Sequence, residues 1–277
     1  MTERVGTGSD ERPIGLFDSG VGGLTVLSEV RRRLPAEATV YLGDGARTPY
    51  GPRPADDVRR FTLECADWLL AQDVKLLILA CNTATSQALP QVRDRSPVPV
   101  LGVVRPGAVS AAASTRAGHV GVIATAGTVA SGAYPAAIGE ADARLIVTQQ
   151  ACPELVPLVE AGEMSGPRAE GLLHGYLGEL LAADPDIDTL LLGCTHYPLL
   201  RPLIEAEVGP GVAVVDSAFT AALAAEDLLE ALRARSSSGS SRHRVATTGP
   251  VEAFSAVAGR VFGAELPAVE RAAVEGV

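Results

Sequence analysis

The chain has 277 residues, of which 47% are hydrophobic and only 4% aromatic, and its formal net charge at pH 7 is −10. This length can bury one large core or two of ordinary size, and an aliphatic composition suits stacked α/β layers better than a β-sandwich. The negative charge argues against nucleic acid as a main partner, and the sequence has no apolar stretch near the roughly 20 residues that span a bilayer. Since residues 1–13 are polar and lack the apolar core of a signal peptide, we expect a cytoplasmic protein.

Eight short apolar runs bounded by turn residues predict β-strands. In chain order they span residues 14–19, 39–44, 75–81, 98–104, 119–125, 143–149, 188–194 and 212–217. Most of these runs are continuously apolar, as in strands buried on both faces of a parallel sheet. Helical segments are predicted between most of them, including residues 56–72, 153–161, 167–183 and 219–235. The order therefore predicts repeated βαβ units and an α/β fold.

The last part of the chain departs from this alternation. Residues 234–244 are rich in serine, which predicts a flexible surface loop, and residues 251–262 predict a helix. The tail after Pro267 is rich in Ala, Val and Glu. We expect this tail to form a short helix or to be disordered.

Polar residues collect where the predicted strands end. They are Asp18 and Ser19, Asp44, Cys81 with Asn82, Thr125, Cys194 with Thr195 and His196, and Asp216 with Ser217. Parallel α/β sheets bind ligands beyond the carboxyl ends of their strands, so the functional site is expected at this edge.

Four cysteines without a C-x-x-C pair favour free thiols over a zinc site or a disulfide framework. Cys65 and Cys152 fit the common role of a small buried side chain. Cys81 and Cys194 instead each end an apolar strand and are expected to open the next helix, where the helix dipole favours a thiolate. They lie 113 positions apart, which suggests two similar α/β halves that arose by duplication.

Such thiols have three possible uses: covalent nucleophile, redox centre, or acid and base. A nucleophile needs only one cysteine, and redox chemistry favours adjacent ones, whereas two thiols on opposite sides of one carbon would invert a stereocentre. Asp18 could hold an amino group or assist Cys81, although a helix cap is the ordinary role of such a residue. Tyr50 and Gly51 in "RTPYGPRP" could bond a carboxylate, and His196 is the natural partner of the second thiol.

Four stretches, "FDSGVGGLTV", "PYG", "ACNTAT" and "GCTHYPLL", together resemble the glutamate racemases of the aspartate/glutamate racemase family, over about residues 14–262. The resemblance implies cofactor-independent racemisation of L-glutamate to D-glutamate for bacterial peptidoglycan, and hence a role in cell-wall biogenesis and cell shape. It also implies two similar parallel-sheet α/β domains related by pseudo-twofold symmetry, with the active site in the cleft between them. We place the first domain at residues 12–104 plus 216–277 and the second at 105–215.

The resemblance further implies which residues carry the chemistry. Cys81 and Cys194 would be the two bases, with Asp18, His196 and a glutamate placed at Glu160 as catalytic assistants. Glu163 is close enough in sequence to be the alternative to Glu160. Substrate contacts would fall on Asp18, Ser19, Tyr50, Gly51, Asn82, Thr83, Thr125, Thr195 and His196. In "ATAGT", Ala124 stands where the family commonly has glycine, which affects the expected backbone approach beside Thr125.

The only lysine, Lys75, begins the predicted strand whose other end carries Cys81, so it points away from the site and cannot hold pyridoxal phosphate there. We therefore expect no cofactor and no metal. The expected partner is the small molecule glutamate, without nucleic acid or membrane, in a protein that could form a homodimer. Two alternatives remain: a two-cysteine racemase for aspartate or another acidic substrate, and a non-catalytic regulatory protein that binds an amino acid.

Overall fold

The computed structural model describes residues 9–237, 242–262 and 266–277, and within them ten strands form two sheets whose paired strands are all parallel. The strands of the first sheet are β1 (Ile14–Asp18), β2 (Thr39–Gly43), β3 (Leu76–Leu79), β4 (Val100–Gly102), β9 (His243–Thr247) and β10 (Val269–Arg271). Those of the second sheet are β5 (His119–Ala124), β6 (Ile146–Ala151), β7 (Thr189–Gly193) and β8 (Ala213–Asp216).

Helices connect most of these strands in the manner of βαβ units. Those joined to the first sheet are α1 (Leu24–Arg33), α2 (Ala55–Leu70), α3 (Asn82–Arg95), α10 (Ser217–Ala231) and α11 (Val251–Phe262). The others are α4 (Val104–Ser114), α5 (Ala126–Ala130), α6 (Ala133–Ala141), α7 (Leu155–Glu160), α8 (Pro167–Ala183) and α9 (Arg201–Val208).

The two sheets repeat one strand order. The first runs β10-β9-β2-β1-β3-β4 and the second β6-β5-β7-β8, so the first four strands of each sheet follow the spatial order second, first, third, fourth. In each sheet the third strand leads directly to a thiol, Cys81 after β3 and Cys194 after β7. This shared order agrees with the predicted pair of similar α/β domains and with their origin by duplication.

Continuous apolar runs explain why helices cover both faces of each sheet. Every residue of β1, β2, β3 and β7 is buried. Side chains of α1, α10 and α11 pack on one face of the first sheet, and those of α2 and α3 pack on the other. The second sheet is enclosed in the same way by α4 and α6 on one face and by α7, α8 and α9 on the other. Apolar burial of this kind is the main source of stability.

The carboxyl-terminal part of the first sheet corrects two predictions. His243 and Arg244, expected in the serine-rich loop of residues 234–244, begin β9, while residues 238–241 of that loop lie outside the described residues. The tail after Pro267 was expected to be helical or disordered, but Val269–Arg271 forms β10 and pairs in parallel with β9. Backbone pairing with β9 therefore makes Val269–Arg271 a strand, although its side chains do not show a strand pattern.

The chain passes between the halves at two points. Residues between β4 and β5 form α4, and Asp216 ends β8 and caps α10, whose alanines pack in the core of the first sheet. The domain boundaries at residues 104 and 216 stay predictions. Over the part of the chain that the structure describes, none of the helices has the length and apolarity needed to cross a bilayer.

Candidate active site

One small cavity of about 20 Å³ lies where the carboxyl ends of both sheets meet, and we call it the main cavity. Its lining includes the predicted site residues Ser19, Tyr50, Gly51, Cys81, Asn82, Thr83, Thr125, Cys194, Thr195 and His196. The two thiols therefore face one space, although they come from different sheets. Asp18 lies just behind this lining, where it is buried against Thr195.

Cys81 occupies the N-cap of α3, as its position at a strand end predicts. Its sulfur accepts a hydrogen bond from the N–H of Ala84 at 3.5 Å, and its thiol donates to the Ser19 hydroxyl at 3.5 Å. Burial, followed by the negative charge of Asp18, raises the pKa of Cys81 to about 12. The expectation that the helix start would favour the thiolate is therefore wrong, since the effect of burial on the pKa outweighs that of the single N–H contact.

Cys194 has a different environment. It is followed by a turn and a 3₁₀ segment at Tyr197–Leu200, and α9 begins only at Arg201, so the expected helix start is absent at this thiol. A side chain takes its place: the Cys194 sulfur lies 3.9 Å from Nδ1 of His196. On the other side of the ring, Nε2 of His196 lies 3.2 Å from Oε1 of Glu160.

The charge of His196 depends on these two neighbours. Burial acts to lower its pKa, but the hydrogen bonds to Cys194 and Glu160 and their negative charges outweigh burial and raise the pKa to about 10. With a thiolate at Cys194, the ring is therefore an imidazolium at neutral pH. Glu163, the alternative to Glu160, instead accepts from Arg168 at 2.8 Å and does not contact the ring.

Asp18 links the two halves behind the main cavity. One carboxylate oxygen accepts from the N–H of Gly20 at 2.8 Å, and the other accepts from the Thr195 hydroxyl at 3.3 Å. Burial raises the pKa of this carboxyl group. The glycine at position 22 permits this contact between halves, since a Cβ there would lie 2.4 Å from Nδ1 of His196.

Three hydroxyl groups meet at the starts of α3 and α5. Thr83 lies 2.8 Å from Thr125 and 3.2 Å from Thr128, and Thr125 lies 3.0 Å from Thr128. Beside them, the N–H of Gly127 donates to the carbonyl of Gly51 at 3.0 Å. Such a cluster of donors can bind a carboxylate. Thr128 is absent from the sequence prediction, although its place three residues after the capping Thr125 is a signal that could have identified it.

Tyr50 lines the main cavity, but its hydroxyl is bonded to Asp44 and is not available to a molecule in the cavity. The phenol donates to Asp44, which also accepts from Arg47 at 2.7 Å and from Thr248. This buried network holds the loop that carries Tyr50 and Gly51. A substrate contact from this loop would therefore come from backbone N–H groups.

Asn82 is fixed by Tyr134, which the sequence did not assign to the site, and by Ser217, which the sequence placed at the site's edge of the sheets. Its Nδ2 donates to the Tyr134 hydroxyl at 2.6 Å and to the Ser217 hydroxyl at 3.2 Å. Its Oδ1 is buried and has no hydrogen-bond partner within the described residues. Since both amide hydrogens are engaged, Asn82 can offer only an acceptor to a bound molecule.

Residues with cofactor or metal chemistry lie elsewhere. Nζ of Lys75 forms an ion pair with Glu37 at 2.5 Å and donates to the carbonyls of Asp10 and Ala234, so it is not available for a Schiff base. One group within the described ranges could hold a metal ion: His119, Asp184 and Asp186, whose ligand atoms lie within 4.8 Å of one another. His119 begins β5, so this group lies at the opposite end of the second sheet from Cys194.

This arrangement can move protons across one small space. Two sulfurs line the main cavity, and each can carry one proton. Hydroxyl, amide and carboxylate groups around them can fix a small polar molecule between the two sulfurs. The site is therefore suited to acid–base chemistry at a single carbon.

Comparisons with known proteins agree with this geometry. A family model described as Asp/Glu/Hydantoin racemase matches residues 15–225. A glutamate racemase of Shouchella clausii is 47% identical over 253 residues, which cover 89% of this chain and 89% of the relative. The structure of a glutamate racemase isoform from Bacillus anthracis has a TM-score of 0.90 at 38% identity and covers 96% of this chain and 98% of its own. That of a Francisella tularensis glutamate racemase in complex with D-glutamate has a TM-score of 0.88 at 31% identity and covers 97% and 100%.

Proposed function

The chain belongs to the Asp/Glu/hydantoin racemase family and is an amino-acid racemase, and on that premise we propose that Cys81 and Cys194 interconvert L- and D-glutamate by two-base proton transfer without a cofactor. One observation carries the proposal: both thiols line one cavity, at equivalent places in two sheets of the same strand order. Relatives named glutamate racemase at 43–47% identity support glutamate as the substrate.

In the proposed reaction, the main cavity widens to admit glutamate, whose α-carbon then lies between the sulfurs. One thiolate removes the α-proton and becomes a thiol, while the other thiol protonates the opposite face and becomes a thiolate. One S–H bond and one C–H bond form, and one S–H bond and one C–H bond break. The oxidation states of carbon and sulfur therefore do not change. Inversion follows because the proton leaves one face and arrives at the other.

The surrounding polar groups would hold the substrate and stabilise the carbanion. Asp18 and Oδ1 of Asn82 are the acceptors available to the α-ammonium group. The hydroxyls of Thr83 and Thr125 and the N–H groups of the Gly51 loop would bind a carboxylate. In a buried site these hydrogen bonds act without competition from water, which lowers the free energy of the developing carbanion.

Circular dichroism of L-glutamate incubated with the purified protein tests the reaction. We expect the signal to decay to zero without added cofactor or metal, and early product formed in deuterium oxide to carry solvent deuterium at the α-carbon. The same assay with L-aspartate tests the alternative substrate. Binding of glutamate without decay of its signal would support the regulatory alternative instead.

The wider role is part of the same proposal: a cytoplasmic enzyme, as a homodimer, supplies D-glutamate for peptidoglycan. Rescue of a bacterial strain that requires D-glutamate tests the supply role, with the Cys81→Ala variant as the control that should not rescue. Light scattering of the purified protein tests the dimer, since a monomer mass of 28.5 kDa would contradict it.

A further inference from the structure

A second cavity lies outside the wall of the main cavity, and we call it the outer cavity. It measures about 190 Å³ and is lined by Gly20, Thr48, Glu160 and the α11 residues Ala253, Phe254 and Val257. It shares none of these residues with the main cavity. Polar groups on its wall and a volume of several water molecules make it suitable for water.

Glu160 connects the outer cavity to the second thiol. Contacts run from the Cys194 sulfur to Nδ1 of His196 at 3.9 Å and from Nε2 of His196 to Oε1 of Glu160 at 3.2 Å. Along this line exposure rises, because the side chain of His196 is 4% exposed and that of Glu160 is 26% exposed. Arg260 of α11 donates a hydrogen bond to the backbone carbonyl of Glu160 at 2.8 Å. This bond fixes Glu160 at the wall of the outer cavity.

Within the described residues, Cys81 has no comparable connection. Its sulfur contacts Ser19 and the N–H of Ala84, and the nearby carboxylate of Asp18 is 1% exposed. The carboxylate of Asp18 accepts from the N–H of Gly20 and from the hydroxyl of Thr195, and neither of these partners is an acid or base that would carry a proton onward. A proton on Cys81 can therefore reach water only through the main cavity.

A two-base racemase must reset after every turnover. When one enantiomer has reacted, the thiol and the thiolate have exchanged roles, so one proton must leave and another must arrive before the same enantiomer can react again. The reset involves the free enzyme only. Its rate limits turnover at high substrate concentration but does not enter kcat/KM.

We propose, on the basis of the proposed two-thiol racemisation, that the outer cavity is the path by which the proton of Cys194 exchanges with water. The thiol gives its proton to Nδ1 of His196 while Nε2 gives its proton to Glu160. Glu160 then releases a proton to water in the outer cavity. The return of a proton follows the same path in reverse, and no bond to carbon changes.

The electrostatics of His196 fit this relay. Its pKa is raised to about 10 in spite of burial, through its contacts with the thiolate of Cys194 and with Glu160. When the sulfur is a thiol, the contribution of its charge is absent, so the ring can be neutral and can accept a proton at Nδ1. In the relay Nδ1 gains a proton as Nε2 loses one, so the ring passes a proton on and its own charge is the same before and after the transfer.

The test fills the outer cavity without touching the relay. Ala253 and Ala256 are both exposed on α11, but only Ala253 lines the outer cavity, so Ala253→Phe fills it and Ala256→Phe is the matched control. We expect Ala253→Phe to lower kcat about fivefold or more at unchanged kcat/KM, with the control within twofold of wild type. Val257→Phe, from a half-buried position on the same wall, should behave like Ala253→Phe.

Isotope exchange provides the second measurement. The experiment follows a trace of labelled glutamate while a saturating excess of one unlabelled enantiomer is converted. In Ala253→Phe the free enzyme should stay in the protonation form that has just released product. This form binds product, so labelled product should be converted back to the starting enantiomer. Unchanged kcat, an equal loss in the control, or a parallel loss of kcat/KM would each overturn the exit path. If wild-type protein in the same assay does not racemise glutamate, the proposed function fails first and the path fails with it.

Discussion

The two thiols of the main cavity occupy equivalent places in the fold but unlike surroundings. Cys81 caps a helix of 14 residues and contacts the neutral hydroxyl of Ser19. Cys194 has no helix start and contacts His196, which in turn contacts Glu160. Duplicated topology thus delivers two sulfurs to one space, while local residues determine how each of them holds its proton.

This difference cannot appear as a preference for one enantiomer. L- and D-glutamate have equal free energies, so kcat/KM must be the same in both directions for the wild type and for every variant. A weakened thiol therefore slows both directions together. The unlike surroundings should be visible instead in isotope effects, in chemical labelling and in kcat.

The largest expected effect comes from removing either sulfur. Cys81→Ala and Cys194→Ala should each lower kcat/KM by about 10³-fold or more in both directions, because each direction needs one acid and one base. Circular dichroism measures the loss. Cys152→Ala is the matched control, since this thiol is fully buried outside the main cavity, and it should keep most of the activity. Substantial racemisation by Cys81→Ala or Cys194→Ala would show that the two thiols do not act together as acid and base.

Alkylation should separate the two sulfurs by about 100-fold. At pH 7.5, iodoacetamide should label Cys194, which has an imidazolium partner, well before Cys81, whose pKa is raised to about 12 by burial and Asp18. Because a raised pKa leaves little thiolate at neutral pH, labelling of Cys81 should grow about tenfold for each pH unit up to pH 10. Mass spectrometry of digested protein measures both rates, and glutamate should protect both sites. Faster labelling of Cys81 at neutral pH would reverse the assignment.

Partners of the two sulfurs should differ in importance. His196→Asn removes a charged partner and should lower kcat/KM by about 10–100-fold, whereas Ser19→Ala removes a neutral one and should lower it only severalfold. In His196→Asn, the primary isotope effect with 2-deuterated substrate should increase for the enantiomer that Cys194 deprotonates and decrease for the other. Equal changes for both enantiomers would mean that His196 does not act on Cys194 alone.

The smallest effect concerns Asn82, which lies next to the first thiol but is held in part by Tyr134 of α6, a helix that packs on the second sheet. Tyr134→Phe removes one hydrogen bond to its amide and should raise KM about two- to tenfold with kcat within twofold. Tyr176→Phe, at a tyrosine whose hydroxyl contacts Glu154 away from the main cavity, serves as the control. A fall in kcat without a change in KM would argue against a role in positioning the substrate.

Much of the fold could be predicted because the central strands are apolar without interruption, which requires burial on both faces. The strands that the sequence missed lack this pattern. β9 begins with His243 and Arg244, and β10 contains Glu270 and Arg271. β10 is the edge strand and pairs with β9, which lies between β10 and β2, so backbone pairing defines both strands. Such pairing depends on a neighbouring strand, so the pattern of local side chains does not predict it.

The candidate site was predictable to the extent that its residues follow strands. Cys81, Cys194 and Thr125 do so, and their motifs identify them. Tyr134 lies within α6, and its contact with Asn82 exists only once α6 packs near the start of α3. The high pKa of Cys81 is also a property of packing, because burial outweighs a helix N-terminus that sequence alone reveals.

The buried ion pair of Lys75 with Glu37 gives the native protein an unusual chemical property. Its single ε-amine is 1% exposed and also binds the carbonyls of Asp10 and Ala234, so it ties three distant segments together. Amine-reactive reagents should leave this position untouched until those segments separate. Modification at Lys75, located by peptide mass, is therefore a natural reporter of unfolding in the first sheet that needs no engineered label.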